Sequence, residues 1–361
     1  MNKNTFVVIM AGGVGTRFWP FSRAYKPKQF LDIIGCGKTL IQLTFDRFKE
    51  QIPLENIYVV SNERYKNLIK EQLPALTDDQ ILLEPFQRNT APCVAYASYK
   101  IASKNPEATI IVTPSDHAIF NDAEFMSTIN SALALSSSGE KLVTIGIQPH
   151  KPETGYGYIQ YTHEATNQLP EAKKVKTFTE KPELELAKKF LESGDFVWNA
   201  GLFVWQASSI IRAFEKYDKD NALLFKEIKE AYYTQEETIK VHEAYSQAKN
   251  ISIDYAILEK ADNVWVVLGD FGWSDLGAWD SLYELREKNK EANVIEGNVT
   301  TYEVKNCIIS GSKDKLIVVE GLENYLIADN GNSLLICKRG NENQMRTIVK
   351  DVKLTKGDEY L

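Results

Sequence analysis

VVIMAGGVGTRFWPFSRAYKPKQF, residues 7–30, is the stretch that decides the fold. Val7-Val8-Ile9-Met10 is an unbroken apolar run, as expected of a strand buried on both faces in a parallel sheet. It leads straight into Gly12, Gly13 and Gly15. Glycines at that place let the chain turn sharply and approach a ligand closely. Successive N–H groups in such a loop form an anion-binding nest. Arg17, Lys26 and Lys28 follow. A glycine loop with cations just behind it suits a polyphosphate, whereas the glycines alone would suit a tight turn.

Two better-known phosphate loops are excluded by spacing. A dinucleotide fingerprint, G-x-G-x-x-G, fails because Phe18 stands at the third glycine position. A P-loop fails because Asp32 stands where Gly37-Lys38-Thr39 would need its leading glycine. Thr39 with Gln42 reads instead as a capping box that opens a helix over 40–50. What remains is a G-G-x-G-T-R loop with a downstream K-P-K. This resembles the sugar-nucleotide pyrophosphorylases, nucleotidyltransferases that join a nucleoside triphosphate to a sugar 1-phosphate.

Outward from that stretch, strand-like runs at 6–10, 57–60, 109–113, 142–147 and 264–268 alternate with helix-like runs at 39–50, 63–73, 90–104, 122–136 and 183–193. The alternation predicts an α/β domain, a Rossmann-like nucleotidyltransferase domain with a mixed, mainly parallel sheet, over 1–289. Residues 152–182 read as a β-rich insertion covering one side of a cleft, and 206–260 as a further helical region. After Asn289 short β runs broken by Gly, Asn and Asp predict a C-terminal all-β, β-helix-like domain over 290–361.

Composition narrows the class. Hydrophobic content of 43% and charged content of 25% are those of an ordinary globular chain. A net charge of −7 and a pI near 5.4 argue against nucleic acid as a partner. Anionic substrates must then be held by local cations. Cys36, Cys93, Cys307 and Cys337 show no metal spacing. No apolar run approaches the roughly 20 residues of a membrane span, and no signal peptide precedes the first strand. A cytoplasmic location is expected, and the β tail offers a surface for a homodimer.

Later segments narrow the resemblance to the mannose-1-phosphate guanylyltransferase branch. They are EPFQRNTAP (84–92), PSDH (114–117), PETGYGYI (152–159), FTEKP (178–182), WNAGLF (198–203), SIDYAILEK (252–260) and WSDLGAW (273–279). Only the tail 290–361 follows the α/β part, so the resemblance is to a short form without a fused isomerase domain.

Asp116 follows the apolar run TIIVTPS, at the carboxyl end of a strand, where open α/β sheets bind ligands. Asp275 lies in WSDLG after VWVVLG. Mg²⁺ prefers carboxylate oxygens beside phosphates, and the resemblance implies that this pair binds it. Otherwise Asp116 would cap a turn and Asp275 a helix beginning near Leu276. The resemblance gives Ala11, Gly12, Gly13, Gly15 and Thr16 to the nucleotide, and Arg17 and Lys28 to charge neutralisation. It gives Lys181, held extended by Pro182, to the sugar phosphate. Glu180 and Asn199 face sugar hydroxyls in this reading, with Gly155 and Tyr156 at the ring. Trp19, Trp198, Trp273 and Trp279 read as core, and His117 receives no catalytic role.

The segment Glu84 to Thr90 runs from a strand to a helix and so lies on the ligand edge of the sheet. Guanine shows two donors, N1–H and the 2-amino group, and a carboxylate accepts both. Glu84 is the expected guanine reader, with Arg88, Asn89 and Thr90 at base, ribose or phosphate. The competing reading is that Glu84 merely ends a strand before Pro85. The reaction the resemblance implies is GTP plus α-D-mannose 1-phosphate giving GDP-mannose and pyrophosphate with Mg²⁺. The alternatives are an enzyme of the same class for another sugar or nucleotide, and a non-catalytic, nucleotide-sugar-binding regulatory subunit.

Overall fold

The computed structural model describes residues 3–166 and 169–361. The chain forms two compact units. One holds the chain up to Gly12 with Thr44–Ser115 and Ile119–Trp273; the other holds Gly13–Leu43, Asp116–Ala118 and Ser274–Leu361. The glycine loop thus begins in the first unit and ends in the second.

The first unit is built on a nine-stranded mixed sheet. Its strands are β1 (Thr5–Met10), β2 (Ile57–Asn62), β3 (Ile81–Glu84), β4 (Thr109–Pro114), β6 (Leu142–Ile147), β7 (Gly157–Thr166), β8 (Leu169–Glu180), β9 (Phe196–Gln206) and β10 (Val264–Gly269), in the order β3-β2-β1-β4-β9-β6-β10-β8-β7. Two-residue strands, β5 (Ala118–Ile119) and β11 (Trp273–Ser274), lie outside it. The apolar run of residues 7–9 is fully buried, as its composition requires. Val7 pairs in parallel with Ile57 on one side and Ile111 on the other. β9 then enters antiparallel to β4 and β6.

The helix Thr90–Lys104 buries Ala91, Val94, Ala95 and Ile101 in a core with Tyr58, Phe203, Trp205, Phe214, Phe225 and Tyr245. Truncating one such large side chain, Phe214→Ala for instance, costs about 3–5 kcal/mol. The insertion is a hairpin of β7 and β8, in which Gly157 faces Glu180. The helical region contains Ala207–Tyr217, Lys219–Glu227 and Glu237–Gln247, followed by a π-helical turn at Asp254–Leu258.

In the second unit the tail stacks short parallel strands into a β-helix-like coil. β12 (Val294–Glu296), β14 (Ile308–Ser310) and β16 (Tyr325–Asn330) align Val294, Ile308 and Leu326 in one row. β13 (Val299–Tyr302) pairs with β15 (Ile317–Glu320), and β17 (Ser333–Lys338) closes antiparallel on β16. The tail is β-rich but not all-β, because a helix spans Glu342–Lys356. Met345, Ile348, Val349 and Val352 recur at helical spacing there, a signal hidden by the polar residues around them.

Phe18, Trp19, Leu40, Leu276, Trp279, Ile308, Leu326, Leu335 and Met345 form one buried cluster. Around it the Trp19 indole N–H donates to the Tyr360 carbonyl (2.7 Å), and Arg23 donates to the Asn330 carbonyl (3.1 Å). The segment that carries Arg17 and Lys28 is therefore fastened to the C-terminal part of its own unit.

Candidate active site

Gly15 is fixed by sterics. Its φ of +69° is left-handed, and a Cβ there would lie 2.5 Å from Lys28 Cβ. A side chain would have to push the lysine stem aside. Gly13 is exposed and has nothing near its missing Cβ. Thr16–Phe18 form one 3₁₀ turn. Arg17 is half-buried and borders a small pocket with Asp280, Leu326, Arg339 and Met345.

Lys28 is buried, and an ammonium out of water needs partners. It donates to Asp116 Oδ2 (3.1 Å) and to the Asp275 carbonyl (2.7 Å). The lysine and the two aspartates predicted for metal thus come together in one unit. Burial pushes the Asp116 carboxyl up, but Lys28 and His117 outweigh it and leave it below the ordinary carboxylate range. Asp116 is therefore ionised at neutral pH. Asp275 caps no helix: its Oδ1 accepts from the Gly277 N–H (2.8 Å), and the next helix starts only at Trp279. A Cβ on Gly277 would meet Asp275 Oδ2 at 2.7 Å, so the glycine makes room for the carboxylate.

In the first unit, Ala11 is buried, and its N–H donates to the Val60 carbonyl (2.8 Å). Glu84 is buried at the end of β3, where its Oε1 accepts from the Tyr245 hydroxyl (3.0 Å). Its Oε2 would lie 3.4 Å from a Cβ on Gly12. Burial raises its carboxyl to about 7, partly opposed by the Tyr245 hydrogen bond. Gln87 donates to the Gly12 carbonyl (3.2 Å), tying this segment to the start of the loop. Asn89 and Thr90 serve the backbone: Asn89 caps the helix through the Thr90 N–H (2.9 Å), and Thr90 Oγ1 accepts from the Ile253 N–H (2.9 Å).

The residues expected at the sugar also converge in the first unit. Glu180 Oε2 would sit 2.5 Å from a Cβ on Gly157, so a side chain there would displace the Glu180 carboxylate from its present place. Gly155 donates its N–H to Glu153 (3.1 Å), and the Tyr156 ring packs edge-on against Trp198 and Trp273. Lys181 is not extended as Pro182 suggested: it has φ +47°. Its N–H donates to the Tyr156 carbonyl (3.2 Å), and that turn at the hairpin's end sets the backbone. Its ammonium pairs with Glu180. The Asn199 carbonyl oxygen accepts from the Gly201 N–H (3.1 Å) and the Thr144 hydroxyl (3.2 Å), while its amide donates to Asp254 (2.8 Å).

Asp254, Gln87 and Tyr245 were not singled out from the sequence. Asp254 stands in the quoted SIDYAILEK segment, and its carboxyl is raised to about 6, by burial first and then by Glu180. A raised carboxyl among polar groups is a mark of functional sites. Among the described residues no group of three or more His, Cys, Asp or Glu side chains is arranged for a metal. Two carboxylates are what Mg²⁺ takes when phosphates and water complete its shell, and Asp116 and Asp275 fit that donor set.

The family described as nucleotidyl transferase matches residues 6–292. The mannose-1-phosphate guanylyltransferase of Sinorhizobium fredii is 39% identical over 346 residues, covering 95% of this chain and 66% of its own length. That of Salmonella montevideo is 36% identical over 360 residues, covering 98% of this chain and 75% of its own. This chain thus spans two thirds to three quarters of the length of these relatives. A crystal structure from Thermus thermophilus, described as a mannose-1-phosphate geranyltransferase, superposes with a TM-score of 0.86 at 27% identity over 97% of this chain and 99% of that one. The chain belongs to the nucleotidyl transferase family, in its mannose-1-phosphate guanylyltransferase branch.

Proposed function

We propose that the chain transfers GMP from GTP to α-D-mannose 1-phosphate, giving GDP-mannose and pyrophosphate. The observation that carries this reading is the Lys28 bridge between Asp116 and Asp275, with Gly15 packed on the Lys28 stem, in a chain of this family. A phosphate oxygen of the sugar phosphate attacks the α-phosphorus in line. A P–O bond forms there, the bond to the β-phosphate breaks, and pyrophosphate leaves. The attacking oxygen is already anionic, so no general base is required.

Catalysis of two polyanions is positioning and charge neutralisation. Gly12, Gly13 and Gly15 present backbone N–H groups to the triphosphate, and Arg17 and Lys28 supply positive charge. Asp116 and Asp275 would hold Mg²⁺, which when bound withdraws charge from the phosphate oxygens. Glu84 reads guanine. Lys181 takes the sugar phosphate, and Glu180, Asp254 and the Asn199 amide take the hydroxyls. We also propose that the chain works in the cytoplasm, in keeping with four unpaired cysteines. Among the described residues no helix is long and apolar enough to cross a membrane.

A regulatory subunit that only binds nucleotide sugars is the competing reading. Retention of Arg17, Lys28, Asp116 and Asp275 favours the enzyme. The test is product formation by the purified chain with GTP, mannose 1-phosphate and Mg²⁺, beside Lys28→Met. GDP-mannose from the wild type and its loss in the variant are expected; equal traces from both would remove the catalytic reading.

A further inference from the structure

A carboxyl drawn out of water must be satisfied by the protein. For Glu84 the partner stands far along the chain, at Tyr245 in the helix Glu237–Gln247. Tyr245 is fully buried. Its ring meets Phe225 edge-on at 5.4 Å and Tyr96 at 6.1 Å. Those two rings stack on each other at 6.1 Å and together brace the buried phenol, whose hydroxyl donates to Glu84. The same turn of helix reaches further. Arg88 Nε donates to the Tyr245 carbonyl and Arg88 Nη2 to the Ser246 carbonyl, each at 3.3 Å. His242 meets the Phe86 ring edge-on at 5.0 Å. Glu84, Phe86 and Arg88 alternate along the segment that leaves β3, and all three are met by the last two turns of this one helix.

A hydroxyl donating to a carboxylate favours its ionised form and settles which lone pairs remain. With Oε1 held by the phenol, Oε2 and the second lone pair of Oε1 are left for a ligand's donors. Guanine N1–H and the 2-amino group are such a pair of donors. We propose that Tyr245 is a positioning residue for purine recognition, acting through Glu84, and that the helix 237–247 thereby sets the nucleotide preference. The proposal rests on the reading of Glu84 as the guanine acceptor. Tyr245 touches no substrate in it; its effect is transmitted by one hydrogen bond.

The experiment is a cycle of Tyr245→Phe, Glu84→Gln and the double variant. KM and kcat are measured for GTP, ATP and inosine triphosphate, which lacks the 2-amino group, and for mannose 1-phosphate. Tyr245→Phe should raise KM for GTP about tenfold, the scale of one hydrogen bond to a charged group. KM for mannose 1-phosphate should stay within about twofold, and the GTP-to-inosine-triphosphate preference should narrow. On the Glu84→Gln background the same substitution should change GTP use less than about twofold, because coupled residues are not additive. Tyr245→Met, a second side chain without a hydroxyl, should repeat the result. A merely structural tyrosine would instead weaken both substrates in parallel, or by the same factor on both backgrounds, and either result overturns the proposal. An unchanged GTP preference in Tyr245→Phe beside a shifted one in Glu84→Gln removes Tyr245 alone. No shift in Glu84→Gln, or a wild type that does not prefer GTP to ATP, removes the Glu84 reading and this proposal with it.

Discussion

Glu84→Gln should make the protein more stable at alkaline pH while blunting its choice of base. Glu84 has its carboxyl raised from 4.5 to about 7, chiefly by burial. The folded state therefore keeps a proton that the unfolded chain has already released. Stability from this group is fully present below pH 4.5, falls as pH rises, and levels off above about 7. One pH unit is worth about 1.4 kcal/mol, so ionising Glu84 in place costs about 3 kcal/mol at the plateau. Between pH 5.5 and 8.5 the wild type should lose about 2 kcal/mol from this group alone. Glutamine does not titrate, so the variant should not show that loss. Urea unfolding of both proteins across this range isolates the difference, since every other titrating group is shared. In parallel, the GTP-to-ATP ratio of kcat/KM should fall by about 1–3 kcal/mol as a charge-assisted pair is lost. Stability differences that stay parallel across the pH range would refute the buried, raised carboxyl.

Asp116→Asn and Asp275→Asn should each cost about 2–4 kcal/mol in the chemical step, read as kcat at saturating Mg²⁺, with folding retained. Near-normal turnover in either would remove that residue from the metal site. Lys181→Ala should raise KM for mannose 1-phosphate and spare GTP affinity in a direct titration; the reverse pattern would contradict the assignment. Gly15→Ala should destabilise the second unit by about 1–3 kcal/mol, because a left-handed backbone and the Lys28 stem both oppose a side chain. Unfolding midpoints equal to wild type would show that the loop relaxes freely.

The first strand, its glycine loop and the alternation of strands and helices were legible because local pattern carries them. Residues 7–9 are buried as their apolar run requires, while their register with Ile57 and Ile111 came only from the structure, because an apolar run fixes no register. The company of Lys28 with Asp116 and Asp275 was legible only through the resemblance, since those residues lie on separate segments that tertiary folding joins. Tyr245 left no trace for the same reason: its partner Glu84 is remote, and a tyrosine among helical apolar residues reads as core. Lys181 was misread locally, because the hydrogen bond to Tyr156 overrides the extended preference of a residue before proline. The helix Glu342–Lys356 was missed where charge and polarity masked a sparse apolar stripe.

The decisive measurement of GMP transfer is pyrophosphate release from the purified chain with Mg²⁺, across GTP, ATP, UTP and CTP against mannose 1-phosphate and glucose 1-phosphate. The highest kcat/KM is expected for GTP with mannose 1-phosphate, with GDP-mannose formed in equal amount to pyrophosphate. A higher value for any other pair, or nucleotide binding without pyrophosphate release in every pair, would contradict it.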